Sequence, residues 1–304
     1  MSRQGLSSET GSPPPLVGLG VAALCVLFGG NAVAIKLALD EMGPFTSAGL
    51  RFAIAAATIA AWAAATGRPF RLRPRQLAQV IVLAAAFSAQ MGLLYLGLDR
   101  TYASRGLLLA NLQPFFVMLL AHFFLAGDRI NATRLGGVAL GFAGVVLLMS
   151  DERALSGGLF PGDLLVGGSV LFWASSTVYM KLILPDFEPF QLVLFPMLFE
   201  APTLLVAGAL WDDPMLGSPN AVTVLSLLYQ GMLTAGLGFV IWSTLLKRYG
   251  AVSVNTYLFV VPIAGVALSG LVLGEPVATC EILGALVLIS AGVALVNRKQ
   301  RRVD

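Results

Sequence analysis

The sequence predicts an all-α integral membrane protein with ten transmembrane helices arranged as two inverted five-helix repeats. Three observations carry that prediction. The 304 residues are 57 % hydrophobic and only 12 % charged, with a mean hydropathy of +0.85, where a soluble protein carries roughly 25 % charged residues. The apolar residues gather into ten runs of about spanning length, since a bilayer core needs roughly 20 residues of helix. The second half of the chain echoes the first at a shift of 145 to 148 residues.

The runs fall at 16–39, 46–65, 77–98, 102–125, 134–149, 164–184, 190–210, 221–246, 250–273 and 278–297, each bounded by charges or by Pro and Gly turns. Residues 1–15, MSRQGLSSETGSPPP, are polar and lack the basic start of a signal peptide, so they are expected to form a disordered cytoplasmic tail. The first repeat is placed at 16–149, a connecting loop at 150–163, the second, inverted repeat at 164–297 and a basic cytoplasmic tail at 298–304.

An even number of spans puts both termini on one side, and the Lys/Arg distribution says which. Thirteen basic residues share the side of the tails: Arg3, the cluster Arg68 to Arg75, Arg129, Arg134, Lys247, Arg248 and four after residue 297. Only Arg100 and Arg153 lie opposite. Both termini are therefore expected in the cytoplasm. Five is an odd number, so the second repeat must cross in the opposite sense to the first. The charges agree, because RPFRLRPRQ at 68–76 holds four arginines while its counterpart WDDPMLGSPN at 211–220 holds no basic residue.

The repeat is visible in particular residues. Lys36-Leu37 and Pro44-Phe45 recur as Lys181-Leu182 and Pro189-Phe190; Pro114 matches Pro262; Gly136 and Gly144 match Gly284 and Gly292. Inverted repeats supply two half-structures that can rock about a central site and open alternately to each side.

Several function classes lack their machinery in this sequence. Cys25 and Cys280 form no CxxC pair, and the single histidine, His122, does not suffice for a usual zinc or haem site. There is no GxxxxGK[ST] loop for ATP and no HExxH for a metalloprotease. No cofactor, metal or nucleic-acid partner is expected. The expected partners are a small-molecule substrate and the lipid bilayer; oligomeric state stays open, a monomer included.

Phe28-Gly29 leading into NAVAIKLAL, a proline-bearing helix 4 closing in Gly127-Asp128-Arg129, and a helix 9 closing in LGEPV at 273–277 resemble the EamA-type ten-helix exporters of the drug/metabolite transporter superfamily. The resemblance covers residues 16 to 297. It implies export of amino acids or related metabolites across the bacterial inner membrane, through a cavity between the repeats. The sequence departs from that pattern at Phe28, where tryptophan is usual, and at Asp128, where Glu often follows the Gly.

Ionisable groups inside the bilayer cost roughly 2.5 to 3.5 kcal/mol each at mid-helix and need a reason to be there. Glu200, mid-span in helix 7, is a candidate coupling carboxylate, with a structural pairing to Arg51 of helix 2 the preferred alternative. Lys36, Lys181, Arg105 and His122 lie near span ends, from where they are expected to reach headgroups by snorkelling. Lys36 and Lys181 are also candidate functional charges, because the repeat reproduces them.

Neutral polar and aromatic residues gather at mid-depth: Asn31, Ser88, Gln90, Tyr95, Asn111, Gln113, Trp173, Ser176, Thr177, Tyr179, Gln230, Thr234, Trp242, Asn255 and Tyr257. Their amides, hydroxyls and rings suit a substrate's carboxylate, amine and side chain, and as a set they predict a wet central cavity. Helix-to-helix hydrogen bonding is the competing role for each. Gly137-xxx-Gly141 and Gly270-xxx-Gly274 are expected to serve internal helix packing. Pro114 and Pro262 are candidate hinges, since each removes a backbone donor mid-span.

The function expected is therefore a secondary carrier, not an enzyme, exporting small metabolites by alternating access. The alternative is a proton-coupled exporter of drugs or other metabolites. A channel would need a polar stripe through the whole membrane, and an intramembrane enzyme a convergent nucleophile, acid and base.

Overall fold

The computed structural model of the protein describes residues 14–124, 132–149, 161–249, 254 and 256–296. The described residues are helical throughout apart from short connections, with a single isolated bridge between Met42 and Leu216. The helical stretches are α1 (Pro15–Leu39), α2 (Pro44–Ala65), α3 (Pro74–Asp99), α4 (Ala103–Phe124), α5 (Ala132–Met149) and α6 (Pro161–Ile183). They continue as α7 (Gln191–Trp211), α8 (Ala221–Leu228, Tyr229–Gly238 and Phe239–Tyr249), α9 (Val260–Leu273) and α10 (Cys280–Val296).

Six of these, α1, α2, α3, α4, α7 and α8, contain helical runs long and apolar enough to cross a membrane, and α5, α9 and α10 carry shorter apolar runs. Residues 1–13 of the expected N-terminal tail, the C-terminal tail, Gly127-Asp128, most of the 150–163 loop and Asn255 lie outside the described residues; Pro15, expected in the tail, opens α1.

Helix starts fall two or three residues earlier than the hydropathy predicts at Pro44, Pro74 and Pro161. Proline suits the first turn, where its missing N–H would have no partner anyway. At α3 the Gln76 side chain also accepts from the Arg73 N–H at 2.8 Å, and at α8 Asn220 accepts from the Thr223 N–H at 3.0 Å.

Among the described residues, four helices are interrupted. In α1 the regular helix stops at Gly29 and resumes at Asn31. In α4 the regular helix stops at Ala110 and resumes at Gln113, immediately before Pro114, which has no N–H to offer the Ala110 carbonyl. In α9 a 3₁₀ turn, Thr256–Phe259, precedes Val260, and Pro262 follows two residues later. In α8 the ladder widens to π-helix over Tyr229–Gly238, a local expansion that concentrates at functional sites.

Packing pairs α2 with α7, α5 with α10 and α3 with α6, and sets α1 against α8 and α9. The α2–α7 pair is antiparallel: Thr46 lies beside Gly208, and Gly49 beside Leu205. So is α5–α10, where Gly292 meets the Gly137 backbone and Gly284 meets Leu147. A Cβ on Gly292 would stand 3.0 Å from the Gly141 nitrogen, so glycine here sets the closeness of the two helices, as the GxxxG spacing predicts.

Two apolar clusters result. One joins α2, α3 and α7 around Phe52, Ile59, Leu98 and Leu194; the other joins α4, α5, α6, α9 and α10 around Leu108, Phe115, Val170 and Ile289. Leu94 of α3 touches both. Leu210, Val146, Leu271 and Val287 point outward, as suits helices whose outer faces meet lipid rather than water.

Candidate functional site

Five helices bring polar side chains together in the interior. Arg51 of α2 donates from Nη1 to the Tyr95 hydroxyl of α3 at 3.3 Å, and that hydroxyl donates to Gln230 Oε1 of α8 at 2.5 Å. Gln230 Nε2 then donates to the Ala34 carbonyl of α1 at 3.0 Å. The Thr234 hydroxyl, one turn further along α8, donates to the Gln230 carbonyl at 2.7 Å and meets the Asn31 amide at 3.0 Å. Glu200 of α7 is buried and interacts electrostatically with Arg51.

Local sequence explains how α8 reaches this point. A Cβ on Gly231 would stand 2.6 Å from Ile54 Cβ and 3.0 Å from the Arg51 carbonyl oxygen, so the bare glycine seats Gln230 beside α2. The π-helical stretch turns Gln230 and Thr234 to one side, toward α1 and α3. Tyr95 and Gln230 are completely buried, and a buried polar group is costly unless bonded. The chain from guanidinium to phenol to amide to carbonyl satisfies each in turn.

Not every group is satisfied. Arg51 Nε, Ser47 Oγ, both amide atoms of Gln90 and Ser176 Oγ are buried without a hydrogen-bond partner. Most buried side-chain polar atoms have one, so this group marks the interior faces of α2, α3 and α6 as polar.

The residues predicted at mid-depth do not form one cluster. Asn31, Tyr95 and Thr234 join the network above. Gln113 donates to Thr177 at 3.1 Å across α4 and α6, and Thr177 donates to the Trp173 carbonyl within its own helix at 2.8 Å. Asn111 bonds back to the Leu107 carbonyl at 2.8 Å, at the break in α4. Trp242 packs edge-on against Phe28 with centroids 5.8 Å apart, and Tyr257 lies against Gly18. Ser88 and Tyr179 are half-buried on α3 and α6, the latter beside Phe87 and Ile183. Much of the expected polarity is thus taken up inside helices, because Ser and Thr hydroxyls readily bond the carbonyl one turn back.

The snorkelling expectation fails for Arg105. It is fully buried and pairs with Asp163 of α6, whose Oδ2 lies 2.7 Å from Nη2, while Thr101 donates to Oδ1 at 2.6 Å. Burial on both partners makes this an internal ion pair rather than a headgroup contact. Lys181 and His122 are exposed, and Lys36 is half-buried.

The same end of the bundle holds two further carboxylate contacts. Asp212 accepts from the Thr46 N–H and hydroxyl, both at 2.7 Å, and from the Phe45 N–H at 3.3 Å. Glu275, of the LGEPV segment, accepts from the Ala103 and Ser104 N–H groups at 2.6 and 2.9 Å and from the Ser104 hydroxyl. Each caps the start of another helix, where free N–H groups and the helix dipole favour negative charge. Neither role is visible from local sequence, because the capped residues lie more than 160 positions away.

At the opposite end, Gln191 Nε2 donates to the Pro69 carbonyl at 3.0 Å, and Arg68 and Glu188 approach to 3.8 Å in the open. A cleft of about 670 Å³ lies there, lined by Arg71, Arg73, Gln76, Asp186 and Gln191. It is remote from the buried network and is not the candidate site.

A helical, multi-span membrane protein with a polar core and helix-capping carboxylates at one end defines the class. Residues 16–150 and 160–298 each match the EamA-like transporter family, and the chain belongs to that family. It is 32 % identical over 279 residues to a protein of Salmonella typhimurium named a probable amino-acid metabolite efflux pump, covering 88 % of this chain and 90 % of that one. Its likeness to the Escherichia coli protein of the same name is 29 % over 282 residues, covering 89 % and 92 %. A solved crystal structure superposes with a TM-score of 0.67 at 20 % identity, covering 93 % of this chain and 96 % of that one, which establishes likeness of fold.

Proposed function

We propose that the protein is a secondary carrier that exports small metabolites, amino acids foremost, across a bacterial inner membrane by alternating access. The observation that carries this is the buried polar network, because it draws Asn31, Arg51 and Tyr95 from the first half and Gln230, Thr234 and Glu200 from the second. Carriers of this kind bind substrate at the interface of their repeats. The names of the Salmonella and Escherichia coli relatives support amino acids as the substrate class.

In the proposed arrangement all ten helical stretches cross the membrane, as repeats at 16–149 and 164–297. Repeat-equivalent partners α2 and α7 are antiparallel, as are α5 and α10, in keeping with inversion. Exchanging the halves also converts the α3–α6 contact into α8–α1, and the α4–α6 contact into α9–α1, each of which is present. Pro114 and Pro262 stand at equivalent interruptions and serve as hinges. The distribution of basic residues supports cytoplasmic tails, an orientation that puts Asp212, Asp163 and Glu275 at the outer end.

The substrate site centres on Asn31, Gln90, Tyr95 and Thr234, with Trp173, Ser176 and Gln113 facing from the α4–α6 side. The test is counterflow in proteoliposomes holding purified protein and a panel of radiolabelled L-amino acids. Substrate-specific exchange that saturates supports the carrier; unitary currents in a planar bilayer would instead make it a channel. Glu200 keeps proton coupling as a second mechanism, tested by whether an imposed pH gradient drives accumulation beyond equilibrium.

A further inference from the structure

We propose that Arg51 and Glu200 form a pair that reads the two charges of an α-amino acid, Arg51 taking the carboxylate and Glu200 the ammonium. This deepens the exporter reading above and rests on it.

The α2–α7 register sets the geometry. With Thr46 beside Gly208 and Gly49 beside Leu205, Arg51 falls level with residue 203, so Glu200 is displaced along the helix by roughly one turn, about 5 Å. Opposite charges so displaced can flank a small zwitterion, whose charged ends are separated by only two covalent bonds, about 2.5 Å.

The hydrogen bonding distinguishes this role from a structural salt bridge. A guanidinium in the membrane interior is expensive, and a purely structural arginine should have its donors occupied by its counter-charge. Here Nη1 is held by Tyr95 at 3.3 Å, while Nε is buried and has no partner, although Glu200 is buried on the helix packed against α2. The phenol therefore orients the guanidinium and leaves a donor for a planar carboxylate, which arginine binds through two parallel N–H groups.

Ser47 lies one turn before Arg51 on α2, the spacing that places two side chains on one helix face, and its buried hydroxyl has no partner. Two helices, α2 and α7, thus contribute donors and a counter-charge to one interior region, with Tyr95 of α3 holding the guanidinium, and the polar ligand that would satisfy them carries both an anion and a cation.

The test uses the full chain in lipid nanodiscs, after counterflow has identified which of the twenty L-amino acids is moved fastest. Binding of that amino acid, its methyl ester and its N-acetyl derivative is measured by titration calorimetry on the parent, Arg51→Gln and Glu200→Gln. The free amino acid should weaken tenfold or more in each variant. The ester, which has no carboxylate, should change less than twofold on Arg51→Gln; the N-acetyl compound, which has no ammonium, should change less than twofold on Glu200→Gln.

Because compounds are compared on the same preparation, partial misfolding lowers the binding stoichiometry and not these ratios. If the ester weakens as much as the free amino acid on Arg51→Gln, the guanidinium supports the fold and the pair assignment is overturned. Failure of all twenty amino acids in counterflow overturns amino acids as the exported class, and the pair with it; transport without the reciprocal pattern overturns the pair alone.

Discussion

Replacing Asp163 by alanine should be among the most damaging single substitutions, and two ion pairs of opposite kind allow its size to be worked out. The Arg105 and Asp163 side chains are 1 % and 2 % exposed, and Asp163 also accepts from Thr101. Removing the carboxylate leaves a buried guanidinium without its counter-charge, which costs about 3 to 5 kcal/mol. Arg68 and Glu188 meet at 3.8 Å with side chains 47 % and 51 % exposed, so Arg68→Ala should cost no more than about 1 kcal/mol. Against a total stability of about 5 to 15 kcal/mol, the first loss is a large share and the second is small. Denaturant unfolding in mixed micelles compares them directly. The double substitution Arg105→Met with Asp163→Leu, which removes both charges, should recover much of the loss. The reasoning is refuted if Asp163→Ala lies within 1 kcal/mol of Arg68→Ala.

Three further expectations follow from particular residues. Reporter fusions within 68–76 and after residue 297 should read as cytoplasmic and those within 211–219 as external; a cytoplasmic signal from 211–219 would break the inverted arrangement. Tyr95→Phe strips both Arg51 and Gln230 of a buried partner and should lower stability by about 1 to 3 kcal/mol, while an unchanged unfolding midpoint would mean the two groups repair the loss between themselves. Trp173→Ala should weaken binding of the transported amino acid by about tenfold, or about 1.4 kcal/mol, with normal membrane insertion; parental affinity would remove Trp173 from the site.

The helical stretches were legible in the sequence because membrane solvation imposes a long-range pattern, about twenty apolar residues per span. The glycine tract at 136–144 was equally legible as a packing face, since close helix approach requires small residues wherever it occurs. Arg105 was not. Its position near a span end fits snorkelling as well as pairing, and the deciding fact, Asp163 on the next helix but one, belongs to the tertiary structure. Gln230 and Arg51 show the same limit: each was recognisable as polar within a span, but the link through Tyr95 depends on α8 reaching α2, which Gly231 and the π-helical stretch arrange. The available signal was the charge itself, because a mid-membrane arginine demands a partner and α3 and α7 both offered one.

The contrast between the two kinds of carboxylate contact bears on how the proposed carrier would open. Asp212 and Glu275 cap helix starts beside short connections at one end of the bundle, and a cap of this kind contributes about 1 kcal/mol, since water can take its place when the contact parts. Asp163 holds Arg105 with both side chains sealed from solvent, so parting them would strand two charges at far greater cost. Opening of the outer end should therefore separate α2 from Asp212 and α4 from Glu275 while α4 and α6 stay joined through Arg105. The interruption at Asn111–Leu112 lies below that joint on α4, where the missing N–H of Pro114 has already weakened the ladder. Movement is then cheapest about the middle of α4, and by the repeat about the equivalent break before Pro262. In the proposed carrier those two breaks would let each half bend beside the polar network without dismantling the Arg105–Asp163 ion pair.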